Sequence, residues 1–570
     1  IRDRAHRGLV RWLLGRDGEL VEQVTLRTRG NPLFAVHLVG DWVSRGALVP
    51  GPRGMELRSG ESPQLPPDLS GFWQERIERL LGGMDESAGY ALEIAAILGE
   101  QVDQGEWVAA CGLRSVQPSR RLLDQLLAFR LARVESGFEG WSFVHGMLRE
   151  AVLERAGERC ADWHRACAAM LQDGSAERSG SAARIGHHLL YAGDIREGTE
   201  RLLEGVWERY SSGDHTLAWM LLVEREQAMD GIVDSGAAAW GEGWVARARI
   251  CTARGELIES EQWLDQAVVG VRRHGWSALM PRIALERAEL YFLRGEVRAL
   301  QETLNQALSL ARREGKVFIE ASALRALGRE RMVRGDFSAA KTAILGAVRL
   351  FRRISEPIEE ALAVLMLGEI ARRRGRLEKA ERLLRSNRSR AVKLGSQLGI
   401  CSCDESLGAV CRARGDLVGA EKFFRRSEER LRRLGLPTHR VTLRLAMVLI
   451  DQGQLRPARE ELERQLSALS EELRPLRCLI HAVLLVCLPG EGAWAEWAHH
   501  ISAARIQLGM LHVADPDLGW ALTRAGENAA AEGKNERALV ALRMAHEQWV
   551  VLKHAERVSH TEQLIVRIGG

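Results

Sequence analysis

Cys160, His164 and Cys167 stand at positions i, i+4 and i+7, a spacing that puts three metal-capable side chains on one helix face. With His187 or His188 they would supply the four nitrogen and sulfur donors that zinc takes. The set lacks the paired Cys-x-x-Cys knuckles of structural zinc sites, so packing is the expected use and no metal is expected. Cys401 and Cys403 are two apart in a helical stretch and fall on different faces. No serine or cysteine carries the local signature of an activated nucleophile. The carboxylates sit where solvated helix faces would put them. No G-x-x-x-x-G-K-[ST] loop occurs; the pairs Gly315-Lys316 and Gly533-Lys534 lack the motif. Without that loop nothing cradles a triphosphate, so this chain by itself is expected not to be an enzyme and to hold no cofactor.

The elements that would position a site follow a repeat. Gly255, Gly295, Gly335, Gly375 and Gly415 are spaced by 40 residues, Gly453 follows at 38, and Gly533 lies two further periods on. Seven residues before each is a small residue: Ala248, Ala288, Gly328, Gly368, Gly408, Ala446 and Gly526. Alanine recurs five residues after (Ala340, Ala380, Ala420, Ala458, Ala538) and twelve after (Ala267, Ala307, Ala347, Ala545). Glycine closes a helix in a conformation that a β-carbon penalises. Small residues at the crossing points then let two antiparallel helices approach, and leucines such as Leu327, Leu367 and Leu407 fill the layer between hairpins. One hairpin cannot bury its own apolar face, but a stack can.

This pattern resembles the tetratricopeptide repeat (TPR), in a longer form. The resemblance covers residues 183–560: 183–235 as irregular TPR-like helices with turns at Gly193-Asp194 and Gly213-Asp214, and 236–560 as regular repeats of about 40 residues. Pro489 and Gly490 mark a degenerate turn between Gly453 and Gly533. The resemblance implies a right-handed superhelix whose first helices line a concave, peptide-binding groove. Helical spacing counted back from the turn glycines places Arg249, Glu289, Phe292, Arg325, Arg329, Arg372 and Arg412 there. Arginines in consecutive repeats point to an acidic protein or peptide segment as partner, against the simpler use of each as a solvated charge.

Residues 1–180 do not follow the period. Helical patterns at 3–14 and 18–29 precede "GNPLF" at Gly30, and a Gly-, Pro- and Ser-rich loop runs from Pro50 to Pro67. Amphipathic segments and two short strand-like runs near 130–144 give the outline of a winged helix. The order "GNPLF", "ERIERL", "AAILGE", "FVHGMLREAV", "WHRACAAML", then helical repeats, resembles the C-terminal half of STAND regulatory ATPases. That group includes MalT-like regulators and ATPase modules fused to bacterial kinases or cyclases. The resemblance implies residues 1–48 as the end of an ATPase lid, 49–67 as a linker and 68–170 as a winged helix. It implies that Gly30, Asn31 and Pro32 match the lid motif whose proline packs on adenine, and that His145 matches the histidine contacting ADP phosphate. ATP or ADP would then belong to the full-length protein, whose NTPase domain lies upstream of Ile1 and is a partner of this chain. The residues alone also fit a helix-starting turn and a buried structural histidine.

The fold class expected is therefore all-α: a TPR-like helical-repeat superhelix preceded by an ATPase lid remnant and a small winged-helix domain. At 570 residues the chain is too long for one core. Its net charge of +4 gives no reason to expect nucleic acid as a partner. Nine scattered cysteines fit reduced thiols in the cytoplasm. The longest apolar stretch, Cys478 to Leu488, is too short for a bilayer, so no membrane is expected. Trp73, Trp141, Trp163, Trp244, Trp263 and Trp276 read as core anchors. The chain opens on Ile1 without a methionine or a signal pattern, as a piece of a longer protein would.

The expected function is the sensor and regulatory region of a multidomain signalling ATPase, for which the resemblance implies fusion to a kinase as one arrangement, with the groove binding protein or peptide. Two alternatives remain. One is a DNA-binding regulator that uses the winged helix, with Arg114, Arg120, Arg121, Arg130 and Arg133 on phosphates. The other is a plain TPR adaptor.

Overall fold

The structure, a computed structural model, describes residues 3–15, 18–51, 54–58, 68–134, 137–174, 180–511 and 514–569. It divides into two compact units, Ile1–Arg201 and Leu202–Gly570.

The first unit begins with helices α1 (Asp3–Leu14), α2 (Glu19–Thr28) and α3 (Pro32–Ser44), then the antiparallel strands β1 (Leu48–Gly51) and β2 (Gly54–Leu57). It continues with α4 (Leu69–Leu81), α5 (Glu86–Leu98), β3 (Gln101–Asp103), α6 (Gln104–Gly112), α7 (Arg120–Ala128), β4 (Ala132–Arg133) and β5 (Gly140–Phe143). It closes with α8 (Gly146–Ala156), α9 (Cys160–Gly174) and α10 (Ser181–Tyr191), and α11 (Ile195–Ser212) carries the chain across the boundary at Arg201. Side-chain caps fix where the helices start: Asp68, Asp85, Asp103 and Ser119 each accept an N–H of the following first turn. The three short strands form one antiparallel sheet in the order β3-β5-β4, with Val102 opposite Trp141 and Ala132 opposite Phe143. One correction to the sequence reading falls here. The span expected to be a linker from residue 49 on begins as a paired hairpin, with Leu48 opposite Leu57; residues 59–67 lie outside the described ones. A single core runs from Val10, Val24 and Trp42 through Phe72, Ile94, Trp107 and Trp141 to Leu189.

The second unit is a series of antiparallel helices. They are α12 (His215–Met229), α13 (Ala238–Arg254), α14 (Leu257–His274), α15 (Met280–Arg294), α16 (Val297–Arg313), α17 (Val317–Val333), α18 (Phe337–Arg353), α19 (Pro357–Arg373), α20 (Leu377–Lys393), α21 (Gln397–Ala413) and α22 (Leu417–Arg433). They continue as α23 (His439–Asp451), α24 (Leu455–Ala468), α25 (Arg474–Cys487), α26 (Trp494–Leu511), α27 (Pro516–Ala531), α28 (Asn535–Val551) and α29 (Ala555–Gly569).

The small residue seven before each turn glycine faces the large one nine after it. A β-carbon on Gly328 would lie 2.5 Å from Ile344, on Gly368 2.8 Å from Leu384, on Gly408 2.6 Å from Phe424 and on Gly526 2.6 Å from Leu542. Those distances are below any real contact, so the glycines are what let each pair of helices close. The result is an all-α helical-repeat superhelix.

This array does not stay open. Leu473, just before α25, packs against the core of α13–α15, and Arg294 of α15 pairs with Glu472 at 3.2 Å. Residues of α17–α19 and of α23–α28 share one core. Helix α25 is buried nearly all round, which explains the apolar stretch from Cys478 to Leu488. First helices of distant hairpins can meet like this only across the inner face of a closing curve. No helix among the described residues is long and apolar enough to cross a membrane.

Candidate functional site

In the first unit, Gly30 has φ +78° and leads into Asn31. The Asn31 side chain accepts the N–H groups of Leu33 (3.1 Å) and Phe34 (3.2 Å), and Pro32 is the first residue of α3. The motif is therefore a helix cap with a pre-set first turn. His145 caps α8, its Nδ1 accepting the Met147 N–H at 3.1 Å. In a neutral ring the proton then sits on Nε2, which can donate to an external acceptor. The sequence reading missed the neighbour that joins these two places. His37, on α3, has its ring 5.7 Å from that of His145 and 5.0 Å from that of Trp73. Burial, then His145 and Arg76, lower the His37 pKa. Buried Asp41, also on α3, pairs with Arg45 (2.9 Å), Arg76 (3.4 Å) and Arg79 (3.2 Å), tying α3 to α4. Of the arginines considered for DNA, Arg114 donates to the Asp162 carbonyl at 3.0 Å, whereas Arg120, Arg121 and Arg130 are exposed.

The cysteine–histidine constellation comes apart in part. His164 and His188 meet Nδ1 to Nδ1 at 2.9 Å, and burial pushes their pKa values down to about 4 and about 3. Cys160 donates to the Leu153 carbonyl, and Cys167 is buried, its thiol pushed up to about 12. Among the described residues no three His, Cys, Asp or Glu side chains are grouped to hold a metal ion.

In the second unit the inner face carries a ladder of ion pairs between successive first helices. Arg249 of α13 pairs with Glu286 of α15 at 3.0 Å, Arg329 of α17 with Glu289 of α15, and Arg325 of α17 with Glu359 of α19 at 2.9 Å. Aromatic rings lie under the guanidinium groups: Phe292 is 3.8 Å from Arg329, and Tyr210 is 5.3 Å from Arg249. Water still reaches this half, since the side chain of Arg249 is 22% exposed and that of Arg329 29%. Burial would raise the Glu289 pKa, but attraction and hydrogen bonding from Arg329, with Arg249 and Arg325 beyond, bring it down to about 2. Near Arg249, His215 is buried and stacks on Tyr210 at 4.8 Å.

Further along, the same face is dry. Arg372 keeps 5% of its side chain exposed and Arg412 11%. Glu369 receives Arg372 at 2.6 Å and Arg373 at 3.1 Å. Arg412 pairs with Asp451 at 2.7 Å and with Asp517 at 3.3 Å, and lies 4.0 Å over the ring of Trp520. Arg444 reaches Glu405 at 3.2 Å and Asp517 at 3.8 Å. Burial works against ionising Glu369 and Asp517, yet the surrounding arginines hold both below the usual carboxylate range. The expectation of arginines waiting for an acidic segment is thus corrected in its detail. Every predicted groove arginine already has a carboxylate of this chain.

No protein-family model matches the chain, and no curated protein matches it. Among solved structures it is similar to a signal transduction ATPase with numerous domains that carries a tetratricopeptide repeat sensor, from Pyrococcus horikoshii. That match has 15% identity and a TM-score of 0.49 over 90% of this chain and 73% of the other. A Rap protein complexed with competence and sporulation factor gives 13% identity and a TM-score of 0.43 over 65% of this chain and 98% of that one. NprR in complex with its cognate peptide NprX gives 13% and 0.44 over 60% and 98%. None of these three reaches a TM-score of 0.5.

Sequence reasoning found the face but missed most of its partners: Tyr210, Glu286, Glu359, Glu369, Arg373, Arg444, Asp515 and Asp517. One signal was present. The residue six before successive turn glycines alternates in sign (Arg249, Glu289, Arg329, Glu369), which marks a ladder that compensates itself.

Proposed function

We propose that this chain is the non-catalytic sensor and regulatory region of a multidomain signal-transduction ATPase, and that its repeat groove binds a peptide or protein segment. The observation that carries the reading is the ladder on α13, α15, α17 and α19. Paired Arg and Glu side chains with aromatic rings beneath them line an inner face that water still reaches. Such a surface offers both signs of charge and flat stacking faces, and so suits a segment of mixed charge.

In the same proposal the first unit is the switch element. The order α5-β3-α6-α7-β4-β5 supports its reading as a winged helix. A nucleotide held by an upstream domain would meet Pro32 with its base and the Nε2–H of His145 with a phosphate. The capped geometry of Asn31 and His145 leaves that nitrogen available. Buried free thiols support a cytoplasmic setting.

The test is to pan an unbiased phage-displayed peptide library on the full chain. Enriched peptides are then re-measured on Arg329→Ala and Phe292→Ala. A hot-spot contact removed from the groove should weaken binding about tenfold, equivalent to roughly 1.4 kcal/mol. Peptides that bind both variants as tightly as the parent chain would place recognition elsewhere and sink the reading.

A further inference from the structure

At the dry end of the groove the arginines hold a short stretch of the same chain in the way a groove holds a ligand. Ala514 donates its N–H to the Val333 carbonyl at 3.0 Å, and its own carbonyl accepts from Arg373 at 3.3 Å. Asp515 is extended, with φ −135° and ψ 131°, and its carboxylate pairs with Arg373 at 2.9 Å. Two residues on, Asp517 pairs with Arg412 and Arg444, and Trp520 lies beneath Arg412. Both backbone groups of one residue and two carboxylates at i and i+2 are thus read by side chains and backbone of α17, α19, α21 and α23.

A buried guanidinium stripped of its only carboxylate is costly. Here each receiving arginine has a second carboxylate from the array itself: Glu369 for Arg373, Asp451 for Arg412 and Glu405 for Arg444. Withdrawal of Asp515 and Asp517 therefore leaves each of these arginines in contact with one carboxylate, Glu369 being shared with Arg372 and Glu405 with Arg440.

We propose that this end of the groove is a receptor for acidic segments carrying two carboxylates two residues apart, and that Ala514–Asp517 is its resident occupant, displaced when such a partner binds. The proposal rests on the reading of the inner face as a peptide groove. It commits to a different half of that face and to a partner of one charge.

The probe is a fluorescein-labelled peptide copying residues 514–520, followed by anisotropy on the full chain. Asp515→Asn with Asp517→Asn weakens the resident occupant and leaves every receiving arginine intact. That double variant should bind the peptide at least tenfold tighter than the parent chain, and adding Arg412→Gln should erase the gain. A folded double variant with no gain overturns the proposal, as does a gain that survives Arg412→Gln. Loss of the helical circular-dichroism signal in the double variant also overturns it, since the segment would then be indispensable structure and not a displaceable occupant. Each of these failures leaves the Arg329 and Phe292 test of the wetted half standing.

Discussion

The wetted and dry halves of the inner face are built from the same side chains and differ in what covers them. On α13–α17, Arg249, Arg325 and Arg329 pair with carboxylates of neighbouring first helices and keep a fifth or more of their surface in water. On α19–α23, Arg412 and Arg444 make the same kind of pair and Arg372 pairs with Glu369 of its own helix, but the start of α27 closes over them. Arginine content therefore says little about which part of a repeat array is available to a partner. Curvature decides it, because a closing array supplies its own ligand to one stretch and leaves the next open.

The largest effect should separate the two halves directly. Removing Glu369 strands the Arg372 guanidinium in a nearly dry setting and leaves Arg373 with Asp515 alone. Glu369→Ala should cost about 3–5 kcal/mol, the range for breaking a buried pair from one side. Glu289→Ala leaves Arg329 partly in water and over Phe292 and should cost about 1 kcal/mol. Urea unfolding of both variants reads the difference. Equal losses would mean that the two halves are equally buried in solution and would break the comparison.

The closure itself can be weighed at two turn glycines of one register. Gly255 has φ +84°, and a β-carbon there would meet nothing within 4 Å. Gly255→Ala should therefore cost only the left-handed conformation, about 1 kcal/mol. Gly335 has φ +77°, but its β-carbon would lie 2.4 Å from the Val551 carbonyl oxygen, where α28 ends against the array. Gly335→Ala must in addition push the C-terminal hairpin away, a further 1–3 kcal/mol or so. If both variants lost the same stability, the C-terminal hairpins would not be seated on the middle repeats.

How far the sequence reached depends on the range of the interaction. The 40-residue register was legible because each signal, such as Gly368 against Leu384, lies within one hairpin. The inward direction of Arg372 and Arg412 was legible for the same reason, since helical spacing fixes it. Asp515 reaches Arg373, and Asp517 reaches Arg412, from more than a hundred residues away, and nothing local marks such a contact. In the first unit Asn31 and His145 were singled out by their motifs, but His37 was not, because it reads as an isolated polar residue in a mostly apolar helix. The β1–β2 hairpin was hidden by Pro50 and Gly51, which argue for a loop and are tolerated at the edge of a two-stranded ribbon.

The smallest predicted effect lies at the seam between the two halves, in the turn joining α18 to α19. The second set of turns, one per hairpin junction, uses Gly275, Gly315, Gly395 and Gly435, all with positive φ. At that register the seam has Ser355, with φ +58°. A serine held there bears a left-handed cost of about 1–2 kcal/mol, whereas glycine loses more entropy on folding, roughly 0.5–1 kcal/mol. Ser355→Gly should therefore stabilise the chain by about 0.5 kcal/mol, seen as a small rise in the urea midpoint at unchanged slope. A lower midpoint would mean that the serine makes good its backbone cost by stiffening the junction between the open and the occupied stretch. The unglycinated seam would then help to keep the wetted half open while α27 holds the other.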